Sequence, residues 1–141
     1  MATNIESGKI GEHICMVRLM KMGVACEIVN LETMDIVAHV GSEILRIQVK
    51  SSTLKTNSRG AGRNNPGLQF AVSHTRKKIP LTKDECDIIA FVSIDQERVM
   101  FKPVECLKGQ VTKRFVPQKF EKDRLEERSW QYCLDCIFLG D

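Results

Sequence analysis

From Asn4 to Met22 the apolar residues recur at helical spacing, with Ile10, Ile14 and Val17 on one stripe and Cys15, Met16 and Leu19 on its neighbour. Thr3 and Glu6 have the separation of a capping box, and Gly23 suits the residue that ends a helix, so the pattern predicts a helix over about residues 4–22. The period then changes to two. Val24–Val29, Asp35–Val40 and Ile44–Ser51 read as strands, the last two joined at Gly41-Ser42, which suits a two-residue hairpin turn. Residues 53–67 (TLKTNSRGAGRNNPG) read as a loop, Leu68–Ser73 as a strand and Arg76–Lys83 as a basic connector. Cys86–Ile94 (CDIIAFVSI) is almost unbroken in apolar character, as in a central strand buried on both faces, and Arg98–Phe101 reads as its hairpin partner. Lys119–Arg128 is predicted helical, and Trp130–Leu139 fits helix or strand. The order predicts an α/β fold: one domain with a central mixed sheet flanked by helices.

The composition is consistent with one core, since a chain of 141 residues can bury roughly two-thirds of its unfolded surface. No stretch reaches the ~18 apolar residues of a membrane span, and no basic start followed by an apolar run suggests a secretory signal. The six cysteines lack the dense spacing of a disulfide scaffold. The expectation is an intracellular, cytoplasmic protein with free thiols and no membrane partner. The charge is unevenly placed. Residues 1–49 carry four Lys/Arg against six Asp/Glu, and residues 84–141 carry nine against twelve. Between them, residues 50–83 hold eight Lys/Arg and no acid, the footprint of a surface for a polyanion.

The second hairpin can be read as a site. If Gly41 and Ser42 form the turn, Val40 faces Glu43, and counting outward puts Asp35 across from Gln48 with β-carbons ~5 Å apart. Lys50, two residues beyond Gln48, points to the same face. The other face carries Ile36, Ala38, Val40, Leu45, Ile47 and Val49, all apolar. One face thus builds core while the other places an acid, an amide and an amine together. Asp35 and the carbonyl of Val49 are hard oxygen donors of the kind Mg²⁺ takes, and Lys50 could stabilise charge growing on a phosphate or lower the pKa of an attacking water. The same residues could instead form a partly exposed ion pair at a strand end. Glu12 falls on the stripe of Cys15, Met16 and Leu19 and should face protein; Gly8 and Gly11 lie just before it, and their missing side chains would let a DNA backbone approach.

Gly11-Glu12, the helix ending near Gly23, Asp35-Ile36-Val37 and Ile47-Gln48-Val49-Lys50-Ser51-Ser52 together resemble the core of the PD-(D/E)XK nuclease superfamily. The chain resembles most of all the compact intron-encoded, homing-type endonucleases with a QxK variant of the motif; archaeal Holliday-junction resolvases are similar in size and order. The resemblance implies a restriction-endonuclease-like core within a single nuclease domain spanning 1–141, its motifs in 8–52 and a basic DNA-binding segment in 50–83. It implies Asp35 as the primary metal ligand, Glu12 as a second ligand or water positioner, Gln48 as an auxiliary ligand, Lys50 serving the nucleophile, and Mg²⁺ as cofactor with Mn²⁺ as substitute. Two positions depart from the pattern. Met34 stands where the family name has Pro, and Gln48 replaces an acid, so the site carries one formal negative charge fewer.

The expected activity is metal-dependent, site-specific cleavage of double-stranded DNA. A junction resolvase acting on branched DNA, and a catalytically inactive DNA-binding module, are the alternatives. Ser52, Lys55, Arg59, Arg63, Arg76, Lys77, Lys78 and Lys83 are the expected DNA contacts, with the loop arginines suited to guanine edges and the others to phosphates. One such site cuts one strand, so a double-strand break implies a homodimer or homotetramer. The segment around Trp130 and Tyr132 is a candidate interface or core cover. Cys133-x-x-Cys136 is half of a zinc site with no second half in the sequence.

Overall fold

The computed structural model describes residues 4–31, 34–54, 67–73 and 79–140. The chain opens with α1 (Asn4–Lys21) and continues through β1 (Ala25–Ile28), β2 (Ile36–Val40), β3 (Glu43–Ser52), β4 (Leu68–Ala71), β5 (Ile88–Ser93), β6 (Arg98–Pro103), β7 (Thr112–Phe115) and α2 (Leu125–Phe138). Short 3₁₀ turns occupy Val104–Leu107 and Pro117–Phe120. Five strands form one sheet in the order β1-β2-β3-β5-β6, and β4 pairs with β7 in a small second sheet. Contacts β1–β2, β2–β3 and β5–β6 are antiparallel and β3–β5 is parallel, so the main sheet is mixed.

Each face of that sheet has its own core. On one face, α1 and α2 cover Ile36, Ala38, Leu45, Ile47, Val49, Ile88, Ala90, Val92, Val99 and Phe101. The other is covered by the two-stranded β4–β7 sheet and Phe120, over Ile89, Phe91 and Met100. This explains why all six residues of β5 are buried, as its apolar run predicts.

In α1 the buried line is Gly11, Cys15 and Leu19, while Ile10 and Val17 face outward. Of the two stripes in the sequence, the helix therefore inserts the second. The helix predicted over 119–128 is formed only in its last four residues, Leu125–Arg128, which open α2. Pro117 opens a 3₁₀ turn, Arg124 takes a left-handed conformation (φ 53°), and α2 begins only at Leu125. Trp130 lies on the inner face of α2, its ring 5.1 Å from that of Phe101, so it is core and not interface; Tyr132 is exposed.

Strand β6 is an edge, and the chain covers it. The N–H groups of Val99 and Phe101, which face away from β5, donate to Glu126 Oε2 (2.9 Å) and Ser129 Oγ (3.0 Å) of α2. The next position of the same parity is Pro103, which has no N–H to expose. Glu126 also receives Arg98 Nε at 2.9 Å and lies 3.6 Å from Arg18 Nε, joining α1, β6 and α2.

Candidate active site

Gly41 takes a positive φ of 61° and closes the β2–β3 turn, so Val40 faces Glu43 and the register runs unbroken to Ile36 opposite Ile47. One step further Asp35 N donates to Ile47 O at 2.8 Å, which places the Asp35 side chain at the mouth of the hairpin beside Gln48. There Asp35 Oδ2 accepts two hydrogen bonds, from Gln48 Nε2 (2.9 Å) and from the backbone N–H of Val49 (2.8 Å). The atom of Val49 that meets Asp35 is therefore its nitrogen.

Lys50 is partly buried and its Nζ donates to the carbonyl of Ser73 at 3.2 Å. Ser73 in turn bridges to Pro80 just beyond β4, so the second sheet holds the amine in place. Sequence reasoning missed Ser73, because a backbone acceptor leaves no mark in residue type. Glu12 comes from α1. A β-carbon on the preceding Gly11 would fall on Ser51 Oγ and lie 2.9 Å from Ser51 Cβ, so this glycine is filled by the strand and not left open to DNA.

The electrostatics tie the four groups together. Burial pushes the Asp35 carboxyl above its ordinary range, outweighing the Val49 hydrogen bond and the Lys50 charge that work against it. Burial and the nearby Asp35 charge push Glu12 up. Burial holds Lys50 below the ordinary lysine range, although Asp35 works the other way. Burial thus disfavours the charged form of all three groups, a clustering of shifted pKa values that is common at functional sites.

One atom sharpens this. Gln48 is buried, its Nε2 is committed to Asp35, and its Oε1 has no hydrogen-bond partner. An unsatisfied buried acceptor costs about 1–3 kcal/mol. With Glu12 and Asp35 it makes a set of oxygen donors suited to a hard divalent cation. Among the described residues no group of three or more His, Cys, Asp and Glu side chains is placed to hold a metal ion.

The other expected residues divide. Lys55, Arg59, Arg63, Arg76, Lys77 and Lys78 lie outside the described residues. Ser52 is buried, and its hydroxyl donates to the Thr53 carbonyl at 3.2 Å. Lys83 is exposed and pairs with Glu105 at 3.1 Å. The turn before β5 that carries Lys83 is held by Arg46, which binds Asp87 and the carbonyls of Lys83 and Asp84. His39 pairs with Glu27 of β1, away from Asp35. Cys133 is buried and its thiol is pushed up by desolvation, while Cys136 is exposed.

The fold is that of a homing endonuclease-like α/β domain. The solved structure of a bacterial homing endonuclease, I-Ssp6803I, matches with a TM-score of 0.69 and 20% identity over 96% of this chain and 94% of that one. No family model and no curated protein matches the sequence. Among the described residues no helix is long and apolar enough to cross a membrane.

Proposed function

We propose that the protein is a Mg²⁺-dependent DNA endonuclease of the PD-(D/E)XK type, cutting double-stranded DNA at specific sites in the homing manner. The observation that carries the reading is the buried, unpartnered Oε1 of Gln48, whose amide is bonded to Asp35, in a site where two carboxyls have raised pKa values and a lysine a lowered one. The likeness to a homing endonuclease and the acid-free basic block of residues 50–83 support it from independent directions.

Asp35, Glu12 and Gln48 would hold the cation, with the Val49 carbonyl as a further oxygen. When bound, Mg²⁺ supplies Lewis acidity to a phosphodiester oxygen and acidity to water, and Mn²⁺ can replace it. Asp35 does two things at once: it accepts the Val49 N–H, which locks it to β3, and it fixes the Gln48 amide so that Oε1 turns inward. Lys50, steadied at Ser73, presents Nζ to the attacking water or to the charge growing on the phosphate. Its lowered pKa gives Nζ a larger neutral fraction than an exposed lysine has, so it can accept a proton. A homodimer or homotetramer would cut both strands.

The test is plasmid nicking with and without Mg²⁺, run beside Lys50→Ala. Mg²⁺-dependent nicking by the wild type and none by the variant is the expected result. The neutral Gln48 favours a second reading, a DNA-binding module without activity, in which wild type binds DNA but nicks in neither Mg²⁺ nor Mn²⁺. A strict preference for four-way junctions over linear duplex would identify a resolvase instead.

A further inference from the structure

Residues 84–141 carry more acids than bases, yet four of their nine basic side chains converge on one cleft. The cleft, of about 590 Å³, lies between β6, the Phe115 end of β7 and α2. Lys102, Lys119, Lys122 and Arg128 line it together with Phe115 and Tyr132, against one acid, Asp123. Neighbouring cations are neutralised: Arg98 pairs with Glu126, Lys83 with Glu105 and Arg124 with Glu127. Among the described residues the four in the cleft make no ion pair. Lys102 is partly buried and its Nζ sits 6.0 Å from the centre of the Phe115 ring. Four cations gathered without a carboxylate partner favour an incoming anion.

The shape indicates which anion. The volume falls in the range of ~300–1,000 Å³ typical of small-ligand clefts, and Met100, Phe101 and Leu125 line it along with the cations. An inorganic anion would leave the aromatic surface unused. A nucleotide unit uses both parts, with the base stacked on rings and the phosphate on lysines. We propose that this cleft is a second DNA contact, remote in sequence from the basic block, stacking one base on the exposed Tyr132 with its phosphate on Lys102 and Lys119. The assignment rests on the nuclease reading above and extends it to how the enzyme grips a strand away from the cleavage centre.

The experiment uses the full-length protein and measures anisotropy of a fluorescein-labelled oligothymidylate strand and of a random-sequence duplex across a salt series. Lys102→Ala/Lys119→Ala should weaken binding about tenfold and reduce the slope of log K against log salt by about 1–2. Tyr132→Ala should weaken the single strand about tenfold with the slope kept, because it removes stacking and no charge. Unchanged affinity and slope in the lysine variant overturn the proposal. So does free thymidine monophosphate binding as tightly as the strand, which would make the cleft a mononucleotide site. Failure of the wild type to nick, with the variant's loss of affinity intact, removes the nuclease reading and leaves the cleft.

Discussion

Gly11 of α1 lies so close over Ser51 of β3 that a side chain on the glycine would occupy the space of the serine hydroxyl. This contact sets how near the helix bearing Glu12 comes to the strand bearing Gln48 and Lys50. Gly11→Ala must push the two apart, at an overpacking cost of about 1–3 kcal/mol. The displacement passes directly to the next residue, Glu12, and misplacement of a catalytic group by about 1 Å can lower rates ~100-fold. The expected outcome is a lowered melting temperature, cleavage reduced by one to two orders of magnitude and a higher Mg²⁺ requirement. Gly11→Ala/Ser51→Gly makes room again and should recover most of each. Recovery of stability alone would show that the contact does not position Glu12. Ser51 Oγ is itself buried without a partner, so Ser51→Ala should be neutral or stabilising.

Asp35 and Gln48 lead to a pair of opposite substitutions. Asp35→Asn removes a carboxyl that burial keeps reluctant to ionise. Its folded pKa exceeds its unfolded one, so the folded state holds the proton more tightly; that stability is present below the unfolded pKa and lost as pH rises through the folded value. At neutral pH the metal-free Asn variant should therefore melt no lower than wild type, while cleavage falls at least ~100-fold. Gln48→Glu does the reverse. It exchanges the donor at 2.9 Å from Asp35 Oδ2 for a second carboxyl, so the metal-free protein should lose stability with rising pH and regain it on adding Mg²⁺ or Mn²⁺. Thermal melts at several pH values with and without metal read both effects. Full cleavage by both variants would place the site elsewhere.

Lys50 allows proton transfer to be separated from simple charge. Lys50→Arg keeps the positive charge but cannot give it up in the working pH range. If Nζ accepts a proton from water, Arg should lower cleavage about as much as Ala and should flatten the rising limb of the pH–rate profile, which reports the neutral amine. If the charge alone matters, Arg should keep most of the rate. Stability has its own sign: the folded pKa of Lys50 is lowered, so the protonated amine destabilises the fold at neutral pH and stability rises as pH climbs from the folded pKa toward the unfolded value. Lys50→Met should flatten that rise in a melting series.

The hairpin was legible because its two constraints are local. A glycine at positive φ fixes the turn, and strict alternation then fixes which residues share a face, so Asp35 beside Gln48 follows by counting. The burial of β5 was legible for a similar reason, since an unbroken apolar run in a short strand requires cover on both faces. What covers it was not. β7 reads TKRF, polar enough to pass for loop, and becomes a strand because Phe115 and its partner Leu68 seal the second core. The choice between the two stripes of α1 was equally hidden: Ile10 and Val17 are as apolar as Cys15 and Leu19, and only the Gly11–Ser51 contact turns the helix toward the second. The 119–128 prediction failed at Arg124, whose left-handed backbone no propensity reveals. At the site, the Lys50–Ser73 bond joins residues far apart in sequence through a main-chain oxygen, beyond any motif.

Glu126 offers a test of the scaffold apart from the chemistry. It is buried in α2 and accepts the Val99 N–H and two nitrogens of Arg98, with Arg18 Nε at 3.6 Å. Burial alone would raise its pKa, but the Arg98 and Val99 hydrogen bonds outweigh burial and hold it below the ordinary range. The linkage has the opposite sign from Asp35: this stability is present above the unfolded pKa and lost as pH falls through the folded value. Glu126→Gln keeps the shape, leaves two arginines without their carboxylate and gives the edge strand a weaker acceptor. Removing one partner of such a pair costs about 3–5 kcal/mol, which for a chain of this size lowers the melting temperature by roughly 10 °C or more. The loss should shrink in acid, where wild type also gives up the interaction. None of these groups touches Asp35, Gln48 or Lys50, so nicking well below the melting transition should stay within about twofold of wild type. A variant that melts normally, or whose deficit is independent of pH, would mean that α2 is held to β6 by the Trp130–Phe101 packing and not by this carboxylate.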